Sequence, residues 1–350
     1  MSLITGSQAA TDRKRQLEAV ARGELDLVIG THALIQEGVR FRSLSLVVID
    51  EQHRFGVNQR VRLREKGENP DTLIMTATPI PRTLALTFYG DLDVSVLDEM
   101  PSGRQPVKTL VISPRQRKQA YDHIRKQVAE GRQVYIICPV IDEQESDGEA
   151  VAALQEARRL ETEEFPDLTV ACLHGRMRPA EKQAVMSAFA SGEVAVLIST
   201  TVVEVGVDVP NASVMMVEGA DRFGLSQLHQ LRGRVGRGGH AAWCILVSEA
   251  SDPDGIKRMQ VISETSDGFK LAEADLELRG EGQLFGTRQS GLPDLRLASL
   301  PRDLPVLERA RTIGFDLVAQ DPALSRPEHS LLRAEILRRY EDSIHWLSWG

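Results

Sequence analysis

The sequence predicts an α/β protein built on parallel sheets, divided into more than one domain and ending in a mostly helical part. Three observations predict this. Runs such as Leu44–Ile49, Thr72–Thr76 and Val194–Ser199 are continuously apolar and β-branched, as strands covered on both faces are. Stretches with apolar residues at helical spacing lie between such runs, so that strands and helices alternate. The segment Met100–Pro106, with two prolines and a glycine, interrupts this alternation as a linker does.

The elements follow in order. Asp12–Arg22 reads as a helix stopped at Gly23, and Leu25–Ile29 as a strand leading into the small-residue turn Gly30-Thr31-His32-Ala33. Leu44–Ile49 is the next strand and ends on Asp50-Glu51-Gln52-His53. Arg54 to Arg60 begins a helix, and Thr72–Thr76 is a strand closed by Thr76-Ala77-Thr78-Pro79. Beyond the linker come a strand (Val107–Ile112), a helix (Arg117–Glu130), a strand (Val134–Ile141) and an acidic loop (Asp142–Glu149). A helix follows over Ala150–Phe165, with Leu154, Ala157 and Leu160 inward, then the strand Thr169–Leu173, which runs into His174-Gly175. Pro179–Ala190 is a helix begun by proline near its first position, with Val185, Met186 and Phe189 inward. Val194–Ser199, Val214–Val217 and Trp243–Val247 complete the strands. After Ser251 a helix is expected over Lys270–Leu278, then a glycine-rich stretch, Arg279 to Gly291, whose four glycines exclude one regular helix throughout. The last fifty residues read as two amphipathic helices: Leu304, Leu307, Ala310 and Leu317 mark one, Leu332, Ile336 and Tyr340 the other. Trp346 and Trp349 follow them.

Composition sets limits. The 350 residues, 42% of them hydrophobic, can bury a core in two or three domains. A net charge of −8 argues against binding nucleic acid through overall charge. A local basic track remains open, since 34 of the 42 basic residues are arginine. Cys138, Cys172 and Cys244 are far apart and sit in apolar runs, so they read as reduced core thiols without metal spacing. No run of 18 apolar residues and no signal peptide is visible, which fits a bacterial cytoplasm and no membrane partner. Met1-Ser2, with Leu3, reads as an initiation or cloning scar.

The chemistry concentrates in two stretches about 180 residues apart. In Gln227–Arg237 (QLHQLRGRVGR), His229, Arg232, Arg234 and Arg237 lie among glycines and glutamines. Arg234 and Arg237 are three apart and would share a face on a helix. Two guanidiniums converging on one spot suit a polyphosphate, because each donates parallel hydrogen bonds. An isolated Arg-Gly-Arg is more often a solvated basic helix. Here it has an acidic counterpart, Asp50-Glu51, at the carboxyl end of a strand, where open α/β sheets place ligands. Asp50 there suits Mg²⁺, which takes one or two carboxylates beside phosphate oxygens, and Glu51 can orient or deprotonate a water. No Gly-x-x-x-x-Gly-Lys-Ser/Thr phosphate loop occurs.

Asp50-Glu-Gln-His, Thr76-Ala-Thr and Gln230-Leu-Arg-Gly-Arg-Val-Gly-Arg237 resemble motifs II, III and VI of superfamily 2 helicases. The longer runs Asp50–Arg60 and Phe223–Gly238 are similar to the RecG family, ATP-dependent enzymes that remodel stalled forks and branched DNA. The resemblance spans about Thr5 to Gly291. It implies RecA-like helicase motor domains: the rear part of a first at 1–103, a whole second at 104–250, and a helical translocation domain at 251–350. On this resemblance the first domain's upstream half, with the phosphate loop, and an amino-terminal wedge domain are missing. ATP and Mg²⁺ are the implied cofactors. Branched duplex DNA and a single-stranded-DNA-binding protein are the implied partners.

The resemblance also assigns roles. Asp50 holds Mg²⁺, Glu51 activates water, and Gln52 and His53 sense the γ-phosphate and relay its state to Thr76, Ala77 and Thr78. Arg234 and Arg237 act as arginine fingers, and Gln230 orients the site. The stretch from Ser199 to Asp208 resembles motif V, with Gly206 and Asp208 facing the nucleotide and Asp208 placed for a ribose hydroxyl. Thr31, His32, His174, Thr200 and Thr201 touch DNA. Arg279, Arg288 and Gln289 lie in a stretch similar to the TRG motif, which couples hydrolysis to movement along duplex DNA. Glu281 stands where the RecG pattern has proline. The transcription-repair coupling factor shares motif VI and TRG and is the nearest rival. A DEAD-type RNA helicase fits DEQH and TRG less well. A non-catalytic DNA-binding module is the rival of another class.

Overall fold

The computed structural model describes residues 1–6, 8–36, 38–51, 66–67, 70–76, 93–97, 99–100, 105–139, 154–199, 208–284 and 303–340, with the backbone alone at 32, 279–284, 304, 339 and 340. The chain divides into two compact units, Met1–Pro79 and Ile80–Gly350.

In the first unit, β1 (Ser2–Ile4) pairs in parallel with β2 (Val28–Gly30), and β3 (Leu46–Ile49) with β4 (Asp71–Ile74). Helix α1 (Ala10–Arg22) lies between β1 and β2 in sequence. It ends where Gly23 takes a left-handed φ of 73° and returns its N–H to Val20. Val20 packs on Ile4 and Ala33 in a small core. Ser2 and Leu3, read from sequence as a scar, are part of a strand, and Ile4 is fully buried. The expectation that β3 is buried on both faces is half met. Val47 and Ile49 point inward, but Leu46 and Val48 are more than half exposed. Ile29 and Leu73 are exposed to a similar degree. Among the described residues nothing covers that face, so a continuously apolar run is left with one wet side.

The second unit holds a six-stranded parallel sheet in the order β5-β10-β9-β6-β8-β7. Its strands are β5 (Val107–Ile112), β6 (Gln133–Ile137), β7 (Val170–Leu173), β8 (Val196–Ser199), β9 (Ala212–Val217) and β10 (Ala242–Val247). The four central strands are buried almost throughout, as parallel strands between helices must be. Alternate residues feed two cores. Tyr135, Ile137, Leu197, Met215 and Leu246 join one, and Val134, Ile136, Ile198, Met216 and Ile245 the other. Helix α2 (Arg117–Ala129) covers the second core through Ala120, Tyr121 and Ile124. The helical segment 154–164 adds Ala157 and Leu160 to it, its last turn being a π-helix at Leu160–Glu164. Helix α3 (Pro179–Ser191) covers the first core with Met186 and Phe189 and stops at Gly192, φ 86°. The three cysteines are free, and Cys138 and Cys244 are buried.

Helix α4 (Leu225–Arg232) is followed by α5 (Pro253–Glu264) and α6 (Gly268–Leu284), which pack on one another and on α4. Helix α5 was not foreseen. Its signal was present: Asp252 accepts from the Gly255 N–H at 2.7 Å as N-cap, Pro253 stands at the first position, and Met259 and Ile262 form the buried stripe. Helix α6 runs six residues beyond the expected end at Leu278, through Gly280 and Gly282 to Leu284. Two glycines cost about 1 kcal/mol each, which one long helix anchored by Leu271 and Leu276 can absorb. Helices α7 (Leu304–Gln320) and α8 (Ser330–Tyr340) form where their amphipathic patterns predicted. Their apolar faces are not packed away, and Val306, Ile313, Phe315 and Leu331 are more than half exposed. Asp321 closes the corner between them. It accepts from the Ser325 and Arg326 N–H groups at 3.0 and 2.9 Å and pairs with His329 Nδ1 at 2.7 Å.

Candidate active site

In the first unit Asp50 and Thr76 emerge beside each other, because β3 and β4 are parallel and in register from Leu46–Asp71 to Ile49–Ile74. The pairing continues one bond further, from Met75 N–H to the Ile49 carbonyl at 2.8 Å. Asp50 is exposed, and its Oδ1 accepts the Glu51 N–H at 2.9 Å. Glu51 has φ 51°, left-handed for a residue with a Cβ. Such a conformation costs about 1 kcal/mol or more and collects at functional positions. One exposed carboxylate at a strand end suits Mg²⁺, which keeps several waters and takes few protein ligands. Gln52, His53, Ala77 and Thr78 lie outside the described residues. Thr31 is exposed at the end of β2, and His32 opens the short 3₁₀ turn His32–Leu34. A Cβ at Gly30 would stand 2.5 Å from the Ile4 carbonyl, so only glycine lets β1 and the turn meet.

In the second unit the arginine stretch differs from expectation. Helix α4 ends at Arg232, with Leu225, Leu228 and Leu231 buried, and Gly233 caps it. Arg234 and Arg237 therefore lie past the helix and do not share a helical face. The glycines that thin the surroundings also break the helix, and Gly236 turns the chain with φ 75°. A Cβ there would meet Val107 and Ala242 at 3.1 and 3.2 Å. Arg237 Nη1 donates to Asp208 Oδ1 at 3.2 Å, and its Nε to the Gly233 carbonyl at 3.1 Å. Arg234 and Gln230 are half-buried. Beneath them lies Tyr135, whose hydroxyl burial pushes up to about 12, with Arg234 and Arg237 pulling the other way. Asp208, Arg234 and Arg237 thus gather around Tyr135 on one side of the second unit, while Gln230 lies one turn earlier on α4. Gly206, Thr200 and Thr201 lie outside the described residues.

Arg232, one of the basic groups of this stretch, has a different place. It is 4% exposed, and Nη1 donates to the carbonyls of Ile262 and Thr265 at 2.9 and 2.8 Å, while Nη2 meets His229 Nδ1 at 3.0 Å. It closes the carboxyl end of α5. Burial pulls its pKa down. The sequence named it among the basic groups of the stretch without giving it a role, and its structural place was not foreseen.

His174 is half-buried just after β7, ahead of α3. Arg279 lies on the backbone of α6, and Arg288 and Gln289 lie outside the described residues. A cavity of about 710 Å³ opens at the carboxyl ends of β6, β9 and β10, between α2 and segment 154–164. Arg117 spans it to Glu218, with Nη2 to Oε2 at 2.8 Å, and Arg159 reaches Tyr121 Oη at 3.1 Å and Glu156 at 2.8 Å. Arg117 and Arg159 are thus paired with carboxylates of its own lining, and the cavity sits at the other end of the sheet from Arg237. Among the described residues no cluster of metal-ligating side chains is present, and no helix is long and apolar enough to cross a membrane.

Family models match residues 1–87 (DEAD/DEAH box helicase), 115–239 (helicase conserved C-terminal domain) and 265–349 (ATP-dependent DNA helicase RecG, domain 3, C-terminal). The ATP-dependent DNA helicase RecG of Synechocystis is 52% identical over 97% of this chain, which covers 41% of that protein. That of Bacillus subtilis is 49% identical over 97% of this chain, covering 49% of its length. A solved structure of RecG bound to a three-way DNA junction aligns with TM-score 0.67 at 45% identity, over 88% of this chain and 39% of that one. The chain spans half or less of the length of these relatives. With this identity across nearly all of its residues, the chain belongs to the RecG family of ATP-dependent DNA helicases.

Proposed function

We propose that the chain supplies part of an ATP-driven motor that moves on branched DNA such as stalled forks and Holliday junctions. Its three parts are the rear of a first motor domain (1–103), a second motor domain (104–250) and a coupling domain (251–350). The observation that carries this reading is Asp50-Glu51 at the carboxyl end of a parallel strand, with Glu51 held in a strained backbone beside the next strand's Thr76. The relative solved on a three-way junction supports the choice of DNA.

Asp50 would hold Mg²⁺, and Glu51 would orient and deprotonate the attacking water. The metal, when bound, neutralises phosphate charge as the γ-phosphate leaves. Gln52 and His53 would report the γ-phosphate to Thr76 and Thr78. Arg234 and Arg237 would meet charge developing on the phosphate, a contribution of roughly 10³–10⁵ in rate where such fingers act. Gly206, Asp208 and Gln230 would face the nucleotide from the second domain. Thr31, His32, His174, Thr200 and Thr201 would follow the DNA backbone. Arg279, Arg288 and Gln289 would carry the change to the duplex. The open face of Leu46, Val48 and Leu73 on the β3–β4 pair is where the rest of a first domain, with its phosphate loop, would pack. The chain by itself is expected to hydrolyse little ATP. A bacterial cytoplasmic location and a single-stranded-DNA-binding partner rest on the resemblance alone.

A second reading is a non-catalytic DNA-binding module. Glu51→Gln in the protein extended to its relatives' length separates the two. The motor reading requires DNA-stimulated hydrolysis that this variant abolishes while retaining ATP binding. Hydrolysis indifferent to Glu51 rejects the assignment.

A further inference from the structure

Two short segments of the second unit are wedged together near the start of β9. One is Asp208 to Pro210, and the other is Gly236 to Gly238. A Cβ at Gly238 would stand 2.2 Å from the Pro210 carbonyl oxygen, and the Gly236 N–H donates to the Ala212 carbonyl at 3.4 Å. Val209 and Val235 are both buried in the core beneath. The backbones cannot separate without breaking these contacts, so the side chains they carry are held opposite each other. Those side chains are Asp208 and Arg237, paired at 3.2 Å. The Arg237 Nε bond to Gly233 fixes the guanidinium from its other edge. The carboxylate is 58% exposed and the guanidinium 36% exposed. A pair this open contributes little to stability, about 0.2–1 kcal/mol. It can therefore be exchanged for a more highly charged anion at small cost.

We propose that Asp208 is a positioning residue that keeps Arg237 paired and withdrawn until a nucleotide's terminal phosphate displaces it. This rests on the reading of Arg237 as an arginine finger. It differs from the ribose-hydroxyl role the sequence suggested for Asp208. The phosphate, carrying more charge than one carboxylate, wins the guanidinium through bidentate hydrogen bonds. Until then the finger is held in a fixed place by a partner it can leave, and unstimulated hydrolysis stays low.

Two measurements test it. In this chain, the Nη resonances of Arg237 in ¹⁵N NMR should be resolved by hindered rotation and collapse in Asp208→Asn. Averaged resonances in both proteins overturn the pairing. In the protein extended to its relatives' length, Asp208→Asn should lower KM for ATP and raise DNA-free hydrolysis by about two- to five-fold, the range an exposed ion pair allows. A purely structural role would not tighten nucleotide binding. A raised KM that disappears with 2′,3′-dideoxy-ATP assigns Asp208 to the ribose and overturns the proposal. Absence of hydrolysis by the unsubstituted protein rejects the motor reading, and the proposal with it. A motor that hydrolyses ATP but shows no change in Asp208→Asn rejects the proposal alone.

Discussion

Arg232 closes helix α5 by donating to the carbonyl of Ile262, 2.9 Å away, across thirty residues of chain. The same guanidinium reaches Thr265, so the last carbonyls of α5 are satisfied by a side chain from α4 rather than by water. The helix that leads into Arg234 and Arg237 is thereby tied to the helices that follow the second sheet.

Arg232→Ala should cost the second unit about 3 kcal/mol, because it leaves buried carbonyls without a donor. Arg232→Lys should recover only part of this, since one ammonium cannot span Ile262, Thr265 and His229 together. Urea unfolding followed by the Trp243 signal measures both. Equal stability of the alanine variant and the unsubstituted chain would contradict the account.

Gly238→Ala should destabilise the same unit by about 2 kcal/mol or more, since its Cβ would collide with the Pro210 carbonyl. Gly239, which unlike Gly238 has a positive φ of 73° but open space around it, should cost only the backbone strain of about 1 kcal/mol as alanine. The difference in urea midpoint between the two variants is the measurement.

Glu51→Gly should leave the first unit more stable than Glu51→Ala by about 1 kcal/mol, because glycine accepts φ 51° without strain. The reverse order in thermal unfolding would mean that Glu51 is not strained.

The Asp321 carboxyl is held well below the usual carboxylate range by the Arg326 and Ser325 N–H groups and by His329. Its folded pKa is depressed, so its contribution to the α7–α8 corner is present above the unfolded value near 4 and fades as pH falls toward the folded one. NMR titration should place the Asp321 midpoint below the usual aspartate range. In Asp321→Asn the acid loss of the α7–α8 hairpin seen by hydrogen exchange should disappear.

The six-stranded sheet was legible because its central strands are buried on both faces, and continuous apolar runs such as Val194–Ser199 then have few other readings. Helix α3 was equally plain from Pro179, Met186 and Phe189. Helix α5 was missed although its Asp252-Pro253 start is a strong signal, because the domain boundary was drawn just before it and the tail was read only from Asp267 onward. The geometry of the candidate site was not legible. Spacing put Arg234 and Arg237 on one helical face, whereas Gly233 and Gly236 end the helix first. Arg232, Arg234 and Arg237 look alike in sequence, and only packing against Ile262 separates the buried one.

The most direct test of the central claim is ATP hydrolysis by the protein extended to its relatives' length, with and without a forked DNA, beside Arg237→Ala. Strong stimulation by the fork, lost by roughly 10³-fold in the variant, is the predicted result. Hydrolysis that ignores the fork, or that survives the loss of Arg237, would contradict it.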